Sequence, residues 1–410
     1  MDTELETLIA EPLKRIRRIS TDELADNPTP QIHSTQVSAG DRLVIIMVGL
    51  PARGKTYISQ KVCQYLTFFH GRDCKVFNLG LMRRSRVGAK APAWFFDSNN
   101  LEATHIRQQL AEECVGELKS WVEEGEGRIG IYDATNPSAL GRKRLYEQLL
   151  GLVQSKSQIL FIESVVNDDL LVERNIRQVK LTSPDYEGMP AADAVKDFKS
   201  RIDKYRQVYQ GLGVGSAHEE QAWSWARVED GGRLVAMNRI HGYLQGRICH
   251  LLSSLHTSFP PIYLVRNGES EYEAQTRNGG DSQLTQTGRQ FAERFARFVQ
   301  TSVTITTSTG KEEDPVAIFT SSLVADKQTC SSVGLPIQPR VFRNLDQRFL
   351  GRLDGLTDGE MVSLLPEEMS DLARDPLCYR FPRGESYLDL IDRIEPVVLE
   401  IQRQHGPPYG

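Results

Sequence analysis

The chain has 410 residues, of which 40% are hydrophobic and 25% are charged, so it holds enough apolar material for real cores and is not disordered as a whole. Its length predicts two or three domains. The 49 Lys and Arg residues against 54 Asp and Glu residues leave a formal charge of −5, which offers no global attraction to nucleic acid or anionic lipid. Any bound anion must therefore be held by a local cluster of cations.

The sequence contains no recognisable targeting or membrane segment. The longest apolar run near the N-terminus covers residues 43–48, far short of the ~20 residues that a membrane span needs. The first residues are acidic and lack the order of a secretory signal. The six cysteines include no CxxC pair, which is typical of reduced thiols rather than of disulfides or a zinc site. We therefore predict a cytoplasmic protein.

Strands and helices alternate through the first part of the chain. Residues 1–39 carry few large apolar side chains and predict a flexible tail. The segment RLVIIMV, from residue 42, is apolar on both faces, as is typical of a strand buried in a parallel sheet. The segments CKVFNLG, RIGIYDA and QILFIES predict further strands. Predicted helices end at Gly71, cover residues 102–124, follow Pro137, pass through Ile176, and cover 192–209 and 239–255. This pattern predicts βαβ units and a mostly parallel α/β sheet.

A second block follows a short proline-containing segment. The residues TSFPP, at 257–261, predict a linker because adjacent prolines cannot continue a helix. Beyond it we predict a strand IYLVR, a helix near 287–299, a strand VAIFTS and a helix near 387–402. The predicted organisation is a tail (1–39), a first domain (40–256), a linker (257–261) and a second domain (262–410).

The segment GLPARGKT, Gly49 to Thr56, matches G-x-x-x-x-G-K-T directly after a buried strand and directly before a helix. In such a loop, backbone N–H groups surround phosphate oxygens at a helix N-terminus. Lys55 would reach the terminal phosphates, and the Thr56 hydroxyl would bind Mg²⁺. The alternative is an ordinary glycine-containing turn between strand and helix.

Polar residues elsewhere are candidates for the rest of a phosphoryl-transfer site. Asp133 ends a predicted neighbouring strand and is the candidate metal-organising carboxylate. An Asp after an apolar run is by itself more often a helix cap, and the phosphate loop is what favours the metal role. A group of cations with one tyrosine would make an anionic-substrate pocket at the C-terminal edge of the sheet, although each alone also fits a solvated surface position: Arg83, Arg84, Arg107, Arg201 and Tyr205.

Several longer segments are more specific than the phosphate loop. They are GLPARGKTYIS, FNLGLMRR, WFF, IYDATN, LFIES, NIRQVKLTSPDY, DFKSRIDKY, IYLVRNGESE and GGDSQLT. Through them the chain resembles, from about residue 42 to about residue 404, the bifunctional 6-phosphofructo-2-kinase/fructose-2,6-bisphosphatase family. The resemblance implies a P-loop kinase domain that uses ATP and Mg²⁺ to phosphorylate the 2-hydroxyl of fructose 6-phosphate. The product, fructose 2,6-bisphosphate, regulates glycolysis and gluconeogenesis. The resemblance also implies a following phosphoglycerate-mutase-like (histidine phosphatase) α/β domain, and a homodimer.

The resemblance also implies roles for individual residues. The resemblance assigns the catalytic positions to Lys55, Asp133 and Lys180. It assigns Mg²⁺ binding to Thr56 and Asp133. The nucleotide positions are Gly49, Ala52, Arg53, Gly54, Lys55, Thr56, Tyr57 and Asn175. The fructose 6-phosphate positions are Arg83, Arg107, Thr135, Arg201 and Tyr205, with Arg84 as a neighbour. The family continues after IYDATN with Thr and several Arg, whereas this chain reads PSALGRKR, so the choice between Arg142 and Arg144 as a further partner stays open.

The second block departs from the family at its nucleophile. The family's phosphatase begins with Arg-His-Gly-Glu, whose His accepts the phosphoryl group, and here Arg266 is followed by Asn267. An amide has no basic nitrogen lone pair and cannot form a phosphohistidine. The single histidine from residue 259 onward is His405, five residues before the last residue of the sequence. We therefore expect the phosphatase to be inactive.

Further departures agree with that expectation. The acidic proton donor falls at Asp354, one methylene shorter than the family's Glu, and Glu273 replaces an Asn that helps to hold phosphate, which it would repel. We also expect the core strand with the family's second active-site His to be missing. Arg266, Arg277 and the RFPRGESY segment remain. They would either bind sugar phosphate weakly or only maintain the fold.

Residues 17–20, Arg-Arg-Ile-Ser, match the spacing that basophilic protein kinases recognise. Phosphorylation of Ser20 would add about −1.5 to −2 charges beside basic residues. A solvated basic run is the alternative.

The leading hypothesis is a monofunctional 6-phosphofructo-2-kinase with a degenerate phosphatase-like domain. One alternative retains fructose-2,6-bisphosphatase activity. Another is a nucleic-acid end-processing kinase, against which the charge of −5 counts. A catalytically silent regulatory protein is the third, and the set Lys55, Thr56, Asp133 and Lys180 counts against it.

Overall fold

The computed structural model describes residues 42–403, apart from residues 92, 98, 126, 178–182, 214–217, 256–260, 304–315 and 335–337. The predicted tail with Ser20, most of the predicted linker, Lys180 and His405 therefore lie outside the described residues. Within the described part of the chain, no helix is long and apolar enough to cross a membrane.

A six-stranded sheet forms the centre of the first block, in the order β2-β3-β1-β4-β5-β6. Its strands are β1 Leu43–Val48, β2 Cys74–Asn78, β3 Ile129–Asp133, β4 Ile159–Val165, β5 Ser224–Glu229 and β6 Leu234–Asn238. The pairs among β1 to β5 are parallel, and β6 is antiparallel to β5. The predicted mostly parallel sheet is thus confirmed. Strands β5 and β6 were not predicted, because β5 carries Arg227 and Glu229 and β6 is an edge whose Leu234 and Met237 are exposed.

Helices cover both faces of this sheet. They are α1 Lys55–His70, α2 Leu79–Val87, α3 Leu101–Glu123, α4 Ala139–Leu149, α5 Asp169–Asn175, α6 Ala191–Arg206 and α7 Gly242–Leu252. Ile45 and Met47 of β1 face a core shared with α1 and α7, whereas Val44 and Ile46 face a second core shared with α3 and α4. Burial on both faces is the reason that β1 is apolar throughout. The predicted stop of α1 at Gly71 is confirmed, since Gly71 has a φ of 57° and its N–H bonds to the Leu66 carbonyl.

The second block contains mostly helices and two short strands. Its elements are α8 Glu271–Ala274, α9 Gln286–Phe298, β7 Phe319–Thr320, α10 Val324–Ser331, β8 Arg340–Val341, α11 Asp358–Leu364, α12 Pro366–Arg374 and α13 Tyr387–Arg403. The predicted helices near 287–299 and 387–402 correspond to α9 and α13.

The prediction of a strand at IYLVR is wrong, and the prediction at VAIFTS holds only for Phe319–Thr320. Residues 262–266 adopt no strand, and Leu264 is 95% exposed. A β-branched, apolar segment becomes a strand only when a neighbour supplies hydrogen bonds. Among the described residues the sole strand pair of the second block is β7 with β8. The local pattern favoured a strand that the surrounding chain does not pair.

The last helix of the second block packs against the first block. Leu399 of α13 is buried in the core that contains α1 and α7. Glu395 lies one turn earlier, where its carboxylate accepts a hydrogen bond from the Tyr65 hydroxyl and pairs with Arg247. The Nε2 atom of His70 lies 3.7 Å from Glu395 Oε1. A buried polar cluster therefore joins the two blocks.

We expect His70 to make folding stability pH-dependent. Burial, assisted by the nearby charges of Arg247 and Arg72 and opposed by Glu395, lowers the pKa of His70 from 6.5 to about 4. A folded-state pKa below the unfolded value gives stability that is present above pH 6.5 and lost as the pH falls toward 4. In urea unfolding, the free energy of unfolding of wild type should fall by about 2 kcal/mol between pH 7 and pH 5 because of this group. In His70→Gln the decrease over the same pH range should be smaller by that amount. The exposed His105→Gln is the control, and an unchanged pH dependence in His70→Gln would contradict the prediction.

Candidate active site

The loop Gly49 to Thr56 connects β1 to α1 and is held from behind by the ends of two other strands. Gly49 has a φ of 140°, and a side chain there would collide with the Ser164 carbonyl at the end of β4. The Gly49 N–H donates to the Thr135 carbonyl at 3.1 Å, just beyond β3. Glycine at this position therefore allows the loop to sit against both neighbouring strand ends.

Side chains from outside the loop bind its carbonyl groups. Asn175 Nδ2, predicted as a nucleotide contact, donates to the Ala52 carbonyl at 3.2 Å, and the Ser164 hydroxyl donates to the Arg53 carbonyl. Ala52 has a φ of 59°, in the left-handed region, which tightens the turn. Phosphate loops bind anions through their amides, so tying the carbonyls to the protein suits that role.

Lys55 is the first residue of α1 and is buried. Its Nζ atom donates to the Leu50 carbonyl across the loop at 2.8 Å. An ammonium group held over a phosphate loop contacts terminal phosphate oxygens when a nucleotide binds. The position of Lys55 agrees with its predicted role, whereas Lys180 lies outside the described residues and its role stays a prediction.

Thr56 and Asp133, the predicted magnesium ligands, meet through Asn78. Strands β2 and β3 pair in parallel with Asn78 opposite Asp133. The Asn78 amide donates to the Asp133 carboxylate and lies 3.5 Å from Thr56 Oγ1. The Asn78 Oδ1 atom caps α2 by accepting from the Leu81 N–H at 2.8 Å. Asn78 was not predicted, although a polar residue between a strand and a helix, as in CKVFNLG, is a signal that could have found it.

The donor set around Asn78 fits Mg²⁺. Hydroxyl and carboxylate oxygens are the ligands that Mg²⁺ takes, and it usually keeps waters and substrate phosphates for its remaining positions. Among the described residues, no group of three or more His, Cys, Asp or Glu side chains forms a metal cluster. A site of one hydroxyl and one carboxylate beside a phosphate loop needs no such cluster.

Arg142, one of two candidates after IYDATN, supports the backbone and does not face a substrate pocket. It is fully buried, with its Nε atom 2.8 Å from Glu220. It also donates to the carbonyl of Asn136, a residue with a φ of 45°. Arg144 lies exposed on the same helix. Arg142 therefore fixes the turn that follows Asp133.

The predicted arginine pocket converges on one buried carboxylate. Arg83 contacts both oxygens of Asp185, at 2.7 and 2.6 Å. Arg201 and Arg84 lie 3.5 and 3.7 Å from the same carboxylate. Burial raises the pKa of Asp185, but the hydrogen bond from Arg83 and the charges of the three arginines hold it below its usual value. Asp185 lies in the family-specific SPDY segment, and only the structure shows its partners.

Aromatic side chains complete this pocket. The Arg201 guanidinium lies 4.7 Å and the Arg83 guanidinium 5.5 Å from the centre of the Phe96 ring. Tyr205 contacts the same ring at 6.0 Å and hydrogen-bonds to Thr135. Burial raises the pKa of Tyr205, partly offset by the charge of Arg107 and the bond to Thr135. The predicted substrate residues are therefore brought together.

Arg107 is engaged by the backbone next to this pocket. It donates to the Phe95 carbonyl, to the Asp97 carbonyl at 3.2 Å and to Thr104 Oγ1 at 2.8 Å. Burial lowers the pKa of Arg107. In this arrangement Arg107 orders the segment that carries the aromatic rings.

In the second block, Glu273 lies against Arg266 and Asn267, two residues of the predicted degenerate phosphatase site. Glu273 accepts from Arg266 at 2.6 Å and lies 3.3 Å from the Asn267 amide. It also accepts from the Ser270 N–H at 2.9 Å, which completes a capping box at the start of α8. Burial raises the pKa of Glu273, but its bonds to Ser270 and Arg266 hold it below the usual value. An ionised Glu273 thus sits between Arg266 and Asn267.

Arg277 and Asp354, the other predicted members of that site, support the backbone. Arg277 donates to the Gly355 carbonyl at 2.8 Å and lies 3.6 Å from Glu360. Asp354 accepts from the Gly280 N–H at 2.9 Å. Both side chains therefore have structural partners within the second block.

Comparison with known proteins gives two family matches. A model described as 6-phosphofructo-2-kinase matches residues 31–258, and one described as histidine phosphatase superfamily (branch 1) matches residues 262–408.

Curated relatives match most of the chain. It is 39% identical to a 6-phosphofructo-2-kinase/fructose-2,6-bisphosphatase of Arabidopsis thaliana, over 89% of this chain and 47% of the relative. The enzyme of that name from Caenorhabditis elegans is 35% identical, over 91% of this chain and 80% of the relative. The form numbered 3 from Rattus norvegicus is 37% identical, over 88% of this chain and 62% of the relative. The chain spans about half the length of the Arabidopsis relative. Family model and relatives agree that the chain belongs to the 6-phosphofructo-2-kinase/fructose-2,6-bisphosphatase family.

Proposed function

We propose that the chain is a 6-phosphofructo-2-kinase that transfers the γ-phosphoryl group of ATP to the 2-hydroxyl of fructose 6-phosphate. The observation that carries the proposal is a single edge of the sheet, where three parts of a phosphoryl-transfer site lie together. These are the loop at Gly49 to Thr56, the Asn78–Asp133 pair and the arginines around Asp185.

Each part has a distinct task in the proposed reaction. Lys55 and the loop amides hold the terminal phosphates of the nucleotide. Thr56 and Asp133 hold Mg²⁺, which neutralises charge on those phosphates. Arg83 and Arg201 bind the 6-phosphate, a dianion that planar guanidinium groups recognise well. Fixing the sugar at this distal phosphate directs its 2-hydroxyl at the phosphoryl group. Lys180 is proposed as a second cation near the phosphates.

We also infer that the second block does not hydrolyse fructose 2,6-bisphosphate. Asn267 has no nucleophilic nitrogen, and the ionised Glu273 beside Arg266 would repel a phosphate.

Three further proposals rest on the sequence. The family resemblance supports a homodimer, and the charge and cysteine pattern support a cytoplasmic location. Ser20 remains a proposed phosphorylation site.

The kinase reaction is tested by incubating purified protein with Mg²⁺, fructose 6-phosphate and ATP labelled in the γ-phosphate. We expect the label on the 2-hydroxyl, identified by NMR and by the acid lability of a 2-phosphate. Lys55→Met should lower kcat by ~100-fold or more, because a charge that stabilises the transition state is lost. Lys196→Met, exposed on α6, should not. Label on another hydroxyl or on a polynucleotide end, or no transfer at all, would refute the proposal.

A second prediction concerns Asn78. Asn78→Ala removes the amide that holds Asp133 near Thr56, so we expect the Mg²⁺ concentration for half-maximal activity to rise about 10-fold or more. The matched control is Asn100→Ala, because Asn100 also caps a helix, with Oδ1 3.0 Å from the Ala103 N–H, at the start of α3. Both variants should lose ~1 kcal/mol of stability with the cap. Equal Mg²⁺ dependence in the two variants would show that Asn78 is a cap only.

A third prediction concerns the degenerate phosphatase site. Wild type and Asn267→His should acquire no acid-labile label from fructose 2,6-bisphosphate labelled at the 2-phosphate, since Glu273 still opposes the anion. Combining Asn267→His with Glu273→Asn should produce measurable phosphohistidine. Asn267→His combined with Glu271→Gln, which changes an exposed carboxylate on the same helix, is the control. Release of phosphate by wild type would contradict the inferred loss of activity.

A further inference from the structure

Glu395 is a buried charge whose partners all belong to the other block of the chain. It lies in α13 and is 6% exposed. Tyr65 and His70 come from the last turns of α1, and Arg247 comes from α7. A carboxylate removed from water is costly unless it is paired and hydrogen-bonded. The position of Glu395 is therefore specified by the first block.

The carboxylate is ionised where it lies. Burial raises the pKa of Glu395, but the hydrogen bonds from Arg247 and Tyr65 and the charge of Arg247 hold it below the usual value. Burial raises the pKa of the Tyr65 hydroxyl, assisted by the bond to Glu395, so Tyr65 stays a donor. The cluster is thus a charge-assisted contact in a largely dry setting.

The contact continues along one face of α13. Glu395, Leu399 and Arg403 follow each other at intervals of four residues, which places them on one side of a helix. Leu399 is 2% exposed within the apolar core of the first block, and Arg403 reaches Ser253 Oγ at 3.5 Å. The helix docks through a polar anchor, an apolar contact and a second polar contact in succession.

Helix α13 docks on α1, whose first two residues, Lys55 and Thr56, belong to the proposed nucleotide site. Helix α1 starts at Lys55 and Thr56 and ends at His70, with Ile58, Val62 and Leu66 buried against the sheet. A 16-residue helix moves as a rigid body, so a contact at its C-terminal end constrains its N-terminal end. By contrast, the pocket arginines Arg83 and Arg201 lie on α2 and α6, which contribute no partner to Glu395.

We propose that Glu395 is a positioning residue for nucleotide binding, acting through α1 on Lys55 and Thr56. The second block then holds α1 in position for nucleotide binding, a role that requires no phosphatase chemistry. This inference rests on the proposed kinase function for its kinetic consequence, but its binding consequence can be measured separately.

The test uses the full chain and two variants that weaken the same contact by different means. Glu395→Gln removes the charge, and Leu399→Ala removes apolar contact. Asp392→Asn, exposed one turn earlier on α13, is the control. Isothermal titration calorimetry with a non-hydrolysable ATP analogue and Mg²⁺ gives the dissociation constant without any phosphoryl transfer. We expect it to rise at least fivefold in both variants and to stay within twofold of wild type in the control.

Steady-state kinetics provide the second measurement. In both variants the KM for ATP should rise at least fivefold while the KM for fructose 6-phosphate stays within twofold, because Arg83 and Arg201 lie on α2 and α6 rather than on α1. Thermal unfolding monitors folding, and if Glu395→Gln fails to fold, Leu399→Ala and the milder Leu399→Val decide the result. A lower Tm with unchanged nucleotide affinity would overturn the proposal, leaving a contact that only ties the blocks together. Wild type that binds the analogue but phosphorylates no sugar would refute the kinase function and not this inference.

Discussion

Asn78 faces Asp133 because β2 and β3 pair in parallel register, and most of the candidate kinase site follows from that pairing. Parallel strands end at the same edge of a sheet, which is where α/β proteins bind ligands. β1 lies on the other side of β3, so the loop that begins at Gly49 starts at that edge and bonds to the turn after Asp133. The register therefore sets the position of the Asp133 carboxylate relative to the loop at Gly49 to Thr56.

Burial of cations is the second constraint on the site. Arg83 and Arg201 are both largely shielded from water, and unpaired guanidinium groups would be costly there. Asp185 offsets that cost by pairing with both arginines, which also lie near the Phe96 ring. The pocket is consequently formed by the protein's own contacts, which orient its arginines without any ligand.

Both blocks place carboxylates against arginine side chains, in different surroundings. In the first block, buried charges are arranged around a loop whose carbonyl groups at Ala52 and Arg53 are bound by Asn175 and Ser164. In the second block, Glu273 accepts hydrogen bonds from Arg266, from Asn267 and from the Ser270 N–H, the last as part of a capping box. The buried contacts of Glu395 with Tyr65, His70 and Arg247 join the second block to the first.

The sequence alone determined the strand β1, the phosphate loop, α1 and the strand end at Asp133, because continuous burial and a glycine-rich turn leave local signals. It also predicted the arginine set through the family resemblance. Tertiary structure alone decided the roles of Asn78, Asp185 and Glu395. Their partners lie 55, 102 and 330 residues away along the chain, respectively Asp133, Arg83 and Tyr65, and no local pattern encodes such contacts. The same reason made the strand prediction at residues 262–266 wrong, since β-propensity is local whereas the hydrogen bonds that make a strand come from a distant neighbour.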